Sequence, residues 1–223
     1  AIFAGLLLVI GAFQFLQTKD GFEDGEAIMR LTWTDNQGVL HDENITIALH
    51  RAEAPVHVEN FIIHSENGKF NNVTYHRVIQ GFMIQGGDFE NNDGTGGYAA
   101  KWYGYCNGQK EESSNACPET SWTMPDEADN GLIHKSGVIA MAKTPPPNTG
   151  GSQFYIVPSG STPSHLDGVH TVFGTVTDGI EHVNAISAVQ TGGNDKPVND
   201  VSIVSVTITD DGIRDSTPWY QFW

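Results

Sequence analysis

Two short, largely apolar runs, Thr74 to Ile79 and Phe82 to Gln85, join at Gly81 and close at Gly86-Gly87, with Arg77 and Gln85 set among apolar neighbours. Side chains on a strand alternate between its faces. The first run therefore predicts Tyr75, Arg77 and Ile79 on one face, with His76 and Val78 on the other. In the second run Met83 and Gln85 share a face. Both runs can thus present a polar group and a large apolar group to one surface. A cation, an amide, an aromatic ring and a thioether together read as a shallow site for an amide-bearing apolar ligand.

The same patterning predicts elements along the rest of the chain. Glu26 to Trp33 and Asn44 to His50 read as strands around the turn-rich Thr34–Gly38, with Ile45, Ile47 and Leu49 on one face of the second. Ala54 to His64 carries Pro55 in its first turn and apolar Val58, Phe61 and Ile62. It predicts an amphipathic helix ending before Asn67-Gly68. His57 and His64 are expected on the surface of that helix, because no neighbouring residues converge on a metal shell. Further strands are predicted at Gly137–Ala142, Ser152–Val157, Thr171–Val176 and Val201–Thr209, and a second helix at Ile180–Ala188. Within Ser152–Val157 the alternation sends Phe154 and Tyr155 to opposite faces, one into the core and one toward a site.

The loops carry weaker signals. Asn91 to Gly97 is rich in small residues, as phosphate cradles are, yet no Lys-Ser/Thr follows and no helix clearly starts there. Glu119, Asp126, Glu127 and Asp129 lack the spacing of a calcium loop and read as a solvated acidic face. Pro145-Pro146-Pro147 cannot continue a strand and predicts a rigid turn. Cys106 and Cys117 lie in one polar segment with no partner at metal-ligand spacing, so a disulfide closing that loop is expected.

Composition then sets limits. The 223 residues hold one domain with appendages, and Lys+Arg of 11 against Asp+Glu of 27 gives a formal net charge of −16. Such a surface repels phosphate backbones, which argues against nucleic acid as a partner. Residues 1–16 are apolar or Gly except at Gln14. Residues 1–19 are read as a membrane anchor first, an export signal second and a core helix third. The expected organisation continues with a linker at 20–25, a domain at 26–209 with an insertion at 98–123, and an aromatic tail at 210–223 ending in Trp219-Tyr-Gln-Phe-Trp223. An export segment and a disulfide together fit a membrane-anchored or exported protein working in an extracytoplasmic compartment.

The stretch Tyr75-His-Arg-Val-Ile-Gln-Gly-Phe-Met-Ile-Gln-Gly-Gly-Asp88 closely resembles the signature of the cyclophilin family of peptidyl-prolyl isomerases. The resemblance extends through Ser136-Gly-Val-Ile-Ala-Met-Ala-Lys143, Asn148-Thr-Gly-Gly-Ser-Gln-Phe-Tyr-Ile156 and Leu166-Asp-Gly-Val-His-Thr-Val-Phe-Gly174. It implies a mainly β fold, a closed eight-stranded antiparallel β-barrel capped by two α-helices. It also implies an isomerase of X–Pro bonds that acts as a monomer on proline-containing polypeptides, without metal or cofactor. By resemblance Arg77, Phe82, Met83, Gln85 and His170 form the catalytic set. Ala142, Tyr155, His165 and Leu166 would join them in holding substrate.

Two positions depart from the family pattern. Tyr155 stands where Phe is usual, a change tolerated if its hydroxyl reaches water. His165 stands where many members carry Trp, which removes contact area and an indole N–H and bears on inhibitor binding more than on catalysis. Typical members are also shorter across 98–123, so the resemblance supplies no role for the insertion. Hydrolase chemistry has little support, since Ser136, Ser152, Ser159 and Ser164 sit in no recognisable nucleophile turn. Two functional classes stay open at this point: an active isomerase for exported or membrane-associated proteins, and a non-catalytic module that binds proline-containing segments.

Overall fold

The computed structural model describes residues 21–214. Strand alternation builds its core. In β1 (Gly25–Thr34) Ala27, Met29, Leu31 and Trp33 are buried, while Glu26 and Arg30 are exposed. Its partner β2 (Leu40–Leu49) pairs without a register break from Gly25↔Leu49 to Thr34↔Leu40 and adds Ile45, Ile47 and Leu49 to the same interior. The turn between them is set by Asp35, whose carboxylate accepts the Gln37 and Val39 N–H groups, each at 2.9 Å.

One antiparallel sheet wraps around this interior. Its nine strands follow the order β3 (Val73–Thr74), β12 (Ser202–Asp210), β1, β2, β11 (Val172–Asp178), β9 (Val138–Met141), β10 (Phe154–Ile156), β5 (Met83–Gly86), β4 (Arg77–Ile79). The two edges, β3 and β4, are separated in sequence only by Tyr75 and His76. The run expected as one strand is therefore broken, and its halves pair with opposite ends of the sheet: Val73 with Ile203, and Arg77 with Gln85. Counted as one broken strand, β3 and β4 leave the expected eight. The sheet is curled rather than fully closed by hydrogen bonds, and the chain itself bridges the gap.

The break has a consequence for the predicted faces. Tyr75 does not share a surface with Arg77. It is 1 % exposed, lies in the core against Phe154, and donates its hydroxyl to the Met29 sulfur at 3.2 Å. Alternation holds only while a strand continues, and here the chain turns between Tyr75 and Arg77.

Two helices cover the sheet. In α1 (Pro55–Glu66) Phe61 meets Phe70, Phe154 and Phe173 with ring centroids 5.3–5.6 Å apart. In α2 (Ile180–Ser187) Val183 and Ile186 are buried. His57 and His64, expected on the surface of α1, are instead 0 % and 2 % exposed. Each has a partner supplied by a distant segment. His57 Nδ1 lies 2.7 Å from a Glu127 oxygen, and His64 Nε2 donates to the Tyr98 carbonyl at 2.9 Å. The Glu127 carboxylate also accepts the Val56 and His57 N–H groups at 3.1 and 3.0 Å, so it caps a helix with no acidic residue in its own first turn. Asp126 likewise accepts the Asn148 N–H at 3.0 Å. These two carboxylates are structural, not part of a merely solvated face.

The small-residue loop at 91–97 folds around an internal anion. Asp88 is 0 % exposed and accepts the N–H groups of Glu90, Asn91, Asp93, Gly94 and Gly96 at 2.8–3.2 Å. Burial pushes its pKa up, but these bonds outweigh that and hold it below the ordinary carboxylate value. Donors that would cradle a phosphate are thereby consumed. Gly87, at φ +85°, is required beside it, since a Cβ there would stand 2.6 Å from the Ser152 carbonyl oxygen.

Within the expected insertion, β6 (Tyr105–Cys106), β7 (Gln109–Lys110) and β8 (Trp122–Thr123) form a separate small sheet. The expected Cys106–Cys117 disulfide is present, with its Cα atoms 6.3 Å apart. Among the described residues no helix is long and apolar enough to cross a membrane. The apolar stretch at 1–16 and the aromatic end of the tail lie outside the described residues.

His64 gives the fold a testable pH dependence. Burial is the main cause of its low pKa, about 4 against 6.5 when unperturbed. The unfolded chain therefore takes up the proton first. Stability from this site is complete above about pH 6.5 and is lost as the pH falls toward 4, by about 3 kcal/mol. Urea unfolding between pH 7 and 4 should show this slope. It should flatten in His64→Gln, which keeps an N–H donor but cannot titrate.

Candidate functional site

The sheet has a second, outward-facing apolar cluster. Met83, Val138, Ala140, Tyr155, Val157 and Val172 are buried there, beneath Leu132 and Leu166 from neighbouring loops. The intervening residues Ile84, Ile139, Phe154, Ile156 and Phe173 point the other way, into the core. Strand register then aligns the site. Arg77 pairs with Gln85, Gln85 with Tyr155, Tyr155 with Ala140, and Ala140 with Val172. These pairs form one continuous row across β4, β5, β10, β9 and β11. The cation and the amide stand at one end of that row, and the apolar floor at the other.

Loops complete the apolar part. Phe82 follows the turn at Gly81 and stacks on His165, with centroids 6.0 Å apart and planes at 26°. Leu166 ends a 3₁₀ turn, Ser164–Leu166, that packs against the floor. Ala142 continues β9, and its N–H donates to the Gln153 carbonyl at 2.9 Å. His170 meets the Tyr155 ring edge-on at 5.8 Å.

Hydrogen bonds fix the polar groups. Gln85 donates to the Gln153 side-chain oxygen at 3.0 Å, and the Gln153 amide donates to the Gly94 and Gly96 carbonyls at 2.9 and 2.8 Å. The loop organised by Asp88 thus orients Gln85 through one intermediary. His170 Nδ1 lies 2.9 Å from the Met141 carbonyl oxygen. A carbonyl only accepts, so Nδ1 carries the proton. Burial, foremost among the causes, lowers the pKa of His170, leaving the ring neutral near pH 7 with Nε2 free to accept.

Tyr155 differs from expectation. Its hydroxyl does not reach water: the residue is 4 % exposed and the hydroxyl donates to His134 Nε2 at 2.8 Å. Asp167 takes the other side of that imidazole, accepting from Nδ1 at 2.8 Å and from the His134 backbone N–H at 2.7 Å. The carboxylate fixes the proton on Nδ1 and leaves Nε2 as the acceptor. A buried hydroxyl without a partner would cost on the order of 1–3 kcal/mol, and the Asp167–His134 pair removes that cost.

Among the described residues Arg77 has one anionic neighbour. Its Nε lies 3.4 Å from Asp195 Oδ2, with both side chains nearly half exposed. Asp195 and Asn194 both adopt left-handed backbone conformations, at φ +60° and +59°. Bonding at Nε leaves both terminal nitrogens of the guanidinium available. The expected residues Arg77, Phe82, Met83, Gln85, Ala142, Tyr155, His165, Leu166 and His170 thus gather around one outer face. The sequence reading missed His134, Asp167 and Asp195. For the first two a signal existed, since Tyr in place of a buried Phe demands a hydrogen-bond partner. For Asp195, in a Gly-Gly-Asn-Asp turn, local sequence carried none.

Elsewhere Asp24, His50 and Glu53 bring one potential ligand atom each within 4.8 Å of one another. The two carboxylates are exposed, and His50 Nδ1 already faces Asp24 at 3.1 Å. The cluster shares no residue with the row.

Residues 34–208 match the family model described as cyclophilin type peptidyl-prolyl cis-trans isomerase/CLD. The peptidyl-prolyl cis-trans isomerase-like 1 protein of Aspergillus fumigatus is 36 % identical over 170 residues, which are 76 % of this chain and 91 % of that protein. The mouse peptidylprolyl isomerase domain and WD repeat-containing protein 1 is 40 % identical over 168 residues, which are 74 % of this chain but only 22 % of that longer protein. A cyclophilin type isomerase of Cryptosporidium parvum, crystallised in the presence of the dipeptide Ala-Pro, superposes with a TM-score of 0.61 at 26 % identity. That match covers 80 % of this chain and 98 % of that one.

The ion pair at Arg77 can be tested without any activity. In Asp195→Ala the Arg77 Nε–H should exchange with water about 3- to 10-fold faster, read by ¹⁵N NMR of the arginine side chains. Global stability should change by less than about 1 kcal/mol, as for an exposed pair. Unchanged exchange would show that Asp195 does not hold the guanidinium.

Proposed function

Since the chain belongs to the cyclophilin-type peptidyl-prolyl cis-trans isomerases, we propose that it catalyses rotation about X–Pro bonds in polypeptides, with Arg77 as the group that acts on the reacting amide. The observation that carries this reading is the row: one guanidinium and one oriented amide beside an apolar floor. The row fits a reaction that needs no nucleophile.

Twisting an amide destroys its resonance, which is why the uncatalysed step takes tens to hundreds of seconds. As resonance is lost the prolyl nitrogen becomes pyramidal and gains a lone pair. A fixed donor binds that lone pair more strongly than it binds the planar ground state, and differential binding of this kind is catalysis. Arg77 supplies the donor through its terminal nitrogens. Its rigid fork and permanent charge suit the task better than a lysine would. Phe82, Met83, Tyr155 and Leu166 hold the proline ring, with His165 stacked behind Phe82. Gln85, the backbone at Ala142 and His170 steady the flanking peptide.

We assign the physiological role to the folding of exported or membrane-associated proteins in an oxidising compartment. Support comes from the Cys106–Cys117 disulfide and from the apolar stretch at 1–16.

Arg77→Ala should lower the catalytic rate by roughly 10²–10³, the loss expected for one preorganised donor. Peptide affinity, read by NMR titration, should weaken far less, because the planar nitrogen offers the guanidinium no lone pair. Arg77→Lys should remain well below wild type. Equal losses in affinity and rate would make Arg77 a substrate anchor. Unchanged turnover would remove it from the mechanism.

A further inference from the structure

The apolar floor is tied together from beneath by polar groups. The Tyr155 hydroxyl donates to His134 Nε2, and His134 Nδ1–H donates to Asp167 Oδ1, each at 2.8 Å. These residues come from three walls of the site: Tyr155 lies on β10, His134 closely follows Leu132, and Asp167 follows Leu166. Both leucines pack on the floor. Two hydrogen bonds therefore link the Tyr155 ring to the segments that carry both leucines.

Each link has one direction. Asp167 only accepts, because the backbone and ring N–H groups of His134 hold it below the usual carboxylate range and keep it an anion. Burial pushes the Tyr155 phenol up, so the hydroxyl keeps its proton and donates. The neutral imidazole between them donates at Nδ1 and accepts at Nε2. A second proton, at Nε2, makes it a donor on both sides. The Tyr155 hydroxyl proton then loses the one acceptor it has among the described residues, inside a site where the residue is 4 % exposed.

The charge on His134 answers to few groups. Burial is the main influence and lowers its pKa, the Asp167 carboxylate opposes this, and His165 on the same turn adds to it. On the side toward β11, His170 meets the Tyr155 ring edge-on, and burial lowers its pKa too. The His134 side chain is fully buried, so it acts on substrate only through its neighbours.

We propose that His134 and Asp167 are positioning residues for the isomerase reaction: while His134 is neutral they hold Tyr155, Leu132 and Leu166 in the arrangement that receives proline, and a proton on His134 releases it. This deepens the isomerase reading and rests on it. Turnover then carries an acid limb set by a residue that never touches the peptide.

The test follows kcat/KM of the full chain on an Ala-Pro peptide from about pH 7.5 down to about pH 4.5, within the range where the amide spectrum is that of the folded chain. The imidazole signals of His134 and His170 are read by NMR on the same samples. Wild type should lose about 3- to 10-fold, chiefly through KM, at the midpoint where His134 titrates. Asp167→Asn keeps the oxygen that takes both His134 bonds but removes the charge that favours the imidazolium. The activity and His134 midpoints should therefore move down together, by about 0.5–1 pH unit. In Tyr155→Phe, which has no hydroxyl to orphan, His134 should still titrate and the limb tied to it should disappear. A limb that tracks His170, a limb that survives Tyr155→Phe at the His134 midpoint, or turnover that is flat while His134 titrates would overturn the positioning role, as would a His134 that stays neutral throughout. If no peptide is turned over at any pH, the isomerase reading fails separately. The role is then judged by the Leu132 and Leu166 methyl shifts, which must move at the His134 midpoint in wild type and far less in Tyr155→Phe; equal movement in both would overturn it.

Discussion

The site depends on the period of two in a β-strand, applied across five strands in matched register. Because successive side chains leave opposite faces, the strands that fill the core with Ile84, Phe154, Ile139 and Phe173 also lay Gln85, Tyr155, Ala140 and Val172 on the outer surface. A slip of one residue in any of these strands would exchange the two sets. Packing of the interior therefore fixes the geometry of the exterior row, and the row inherits the rigidity of a closed core.

What alternation leaves open is settled by buried polar groups. Asp88 gathers the small-residue loop, Gln153 links that loop to Gln85, and Asp167 with His134 secures the Tyr155 hydroxyl. Asp88 is satisfied by backbone donors of its own loop, and Gln153 and Asp167 by backbone groups from segments far apart in sequence. A buried group left unpaired would cost more than the pair contributes, so these contacts specify one arrangement of loops around the face.

The legible parts of the sequence were those governed by local period. Both helices, the strands and the opposite faces of Phe154 and Tyr155 follow from spacing. The grouping of Arg77, Gln85, Tyr155 and Ala142 in one site came from the family resemblance, because their row is assembled from strands far apart in sequence. The illegible parts were those decided by long-range partners. Tyr75 turned inward because the chain breaks between β3 and β4 to reach both ends of the sheet. His57 and His64 were drawn inside because Glu127 and the Tyr98 carbonyl wait there. Asp195 reached Arg77 from a turn more than a hundred residues away. Nothing within a strand or helix window encodes such meetings.

The central claim is that the outer row lowers the barrier to amide rotation and does not merely hold proline. Exchange NMR on an Ala-Pro peptide with a substoichiometric amount of the wild-type protein addresses it most directly. The expected result is cis–trans exchange cross-peaks within a second of mixing, where the uncatalysed peptide needs tens of seconds or longer. Shifts at Gln85 and Tyr155 that report binding, with no exchange cross-peaks, would contradict the claim.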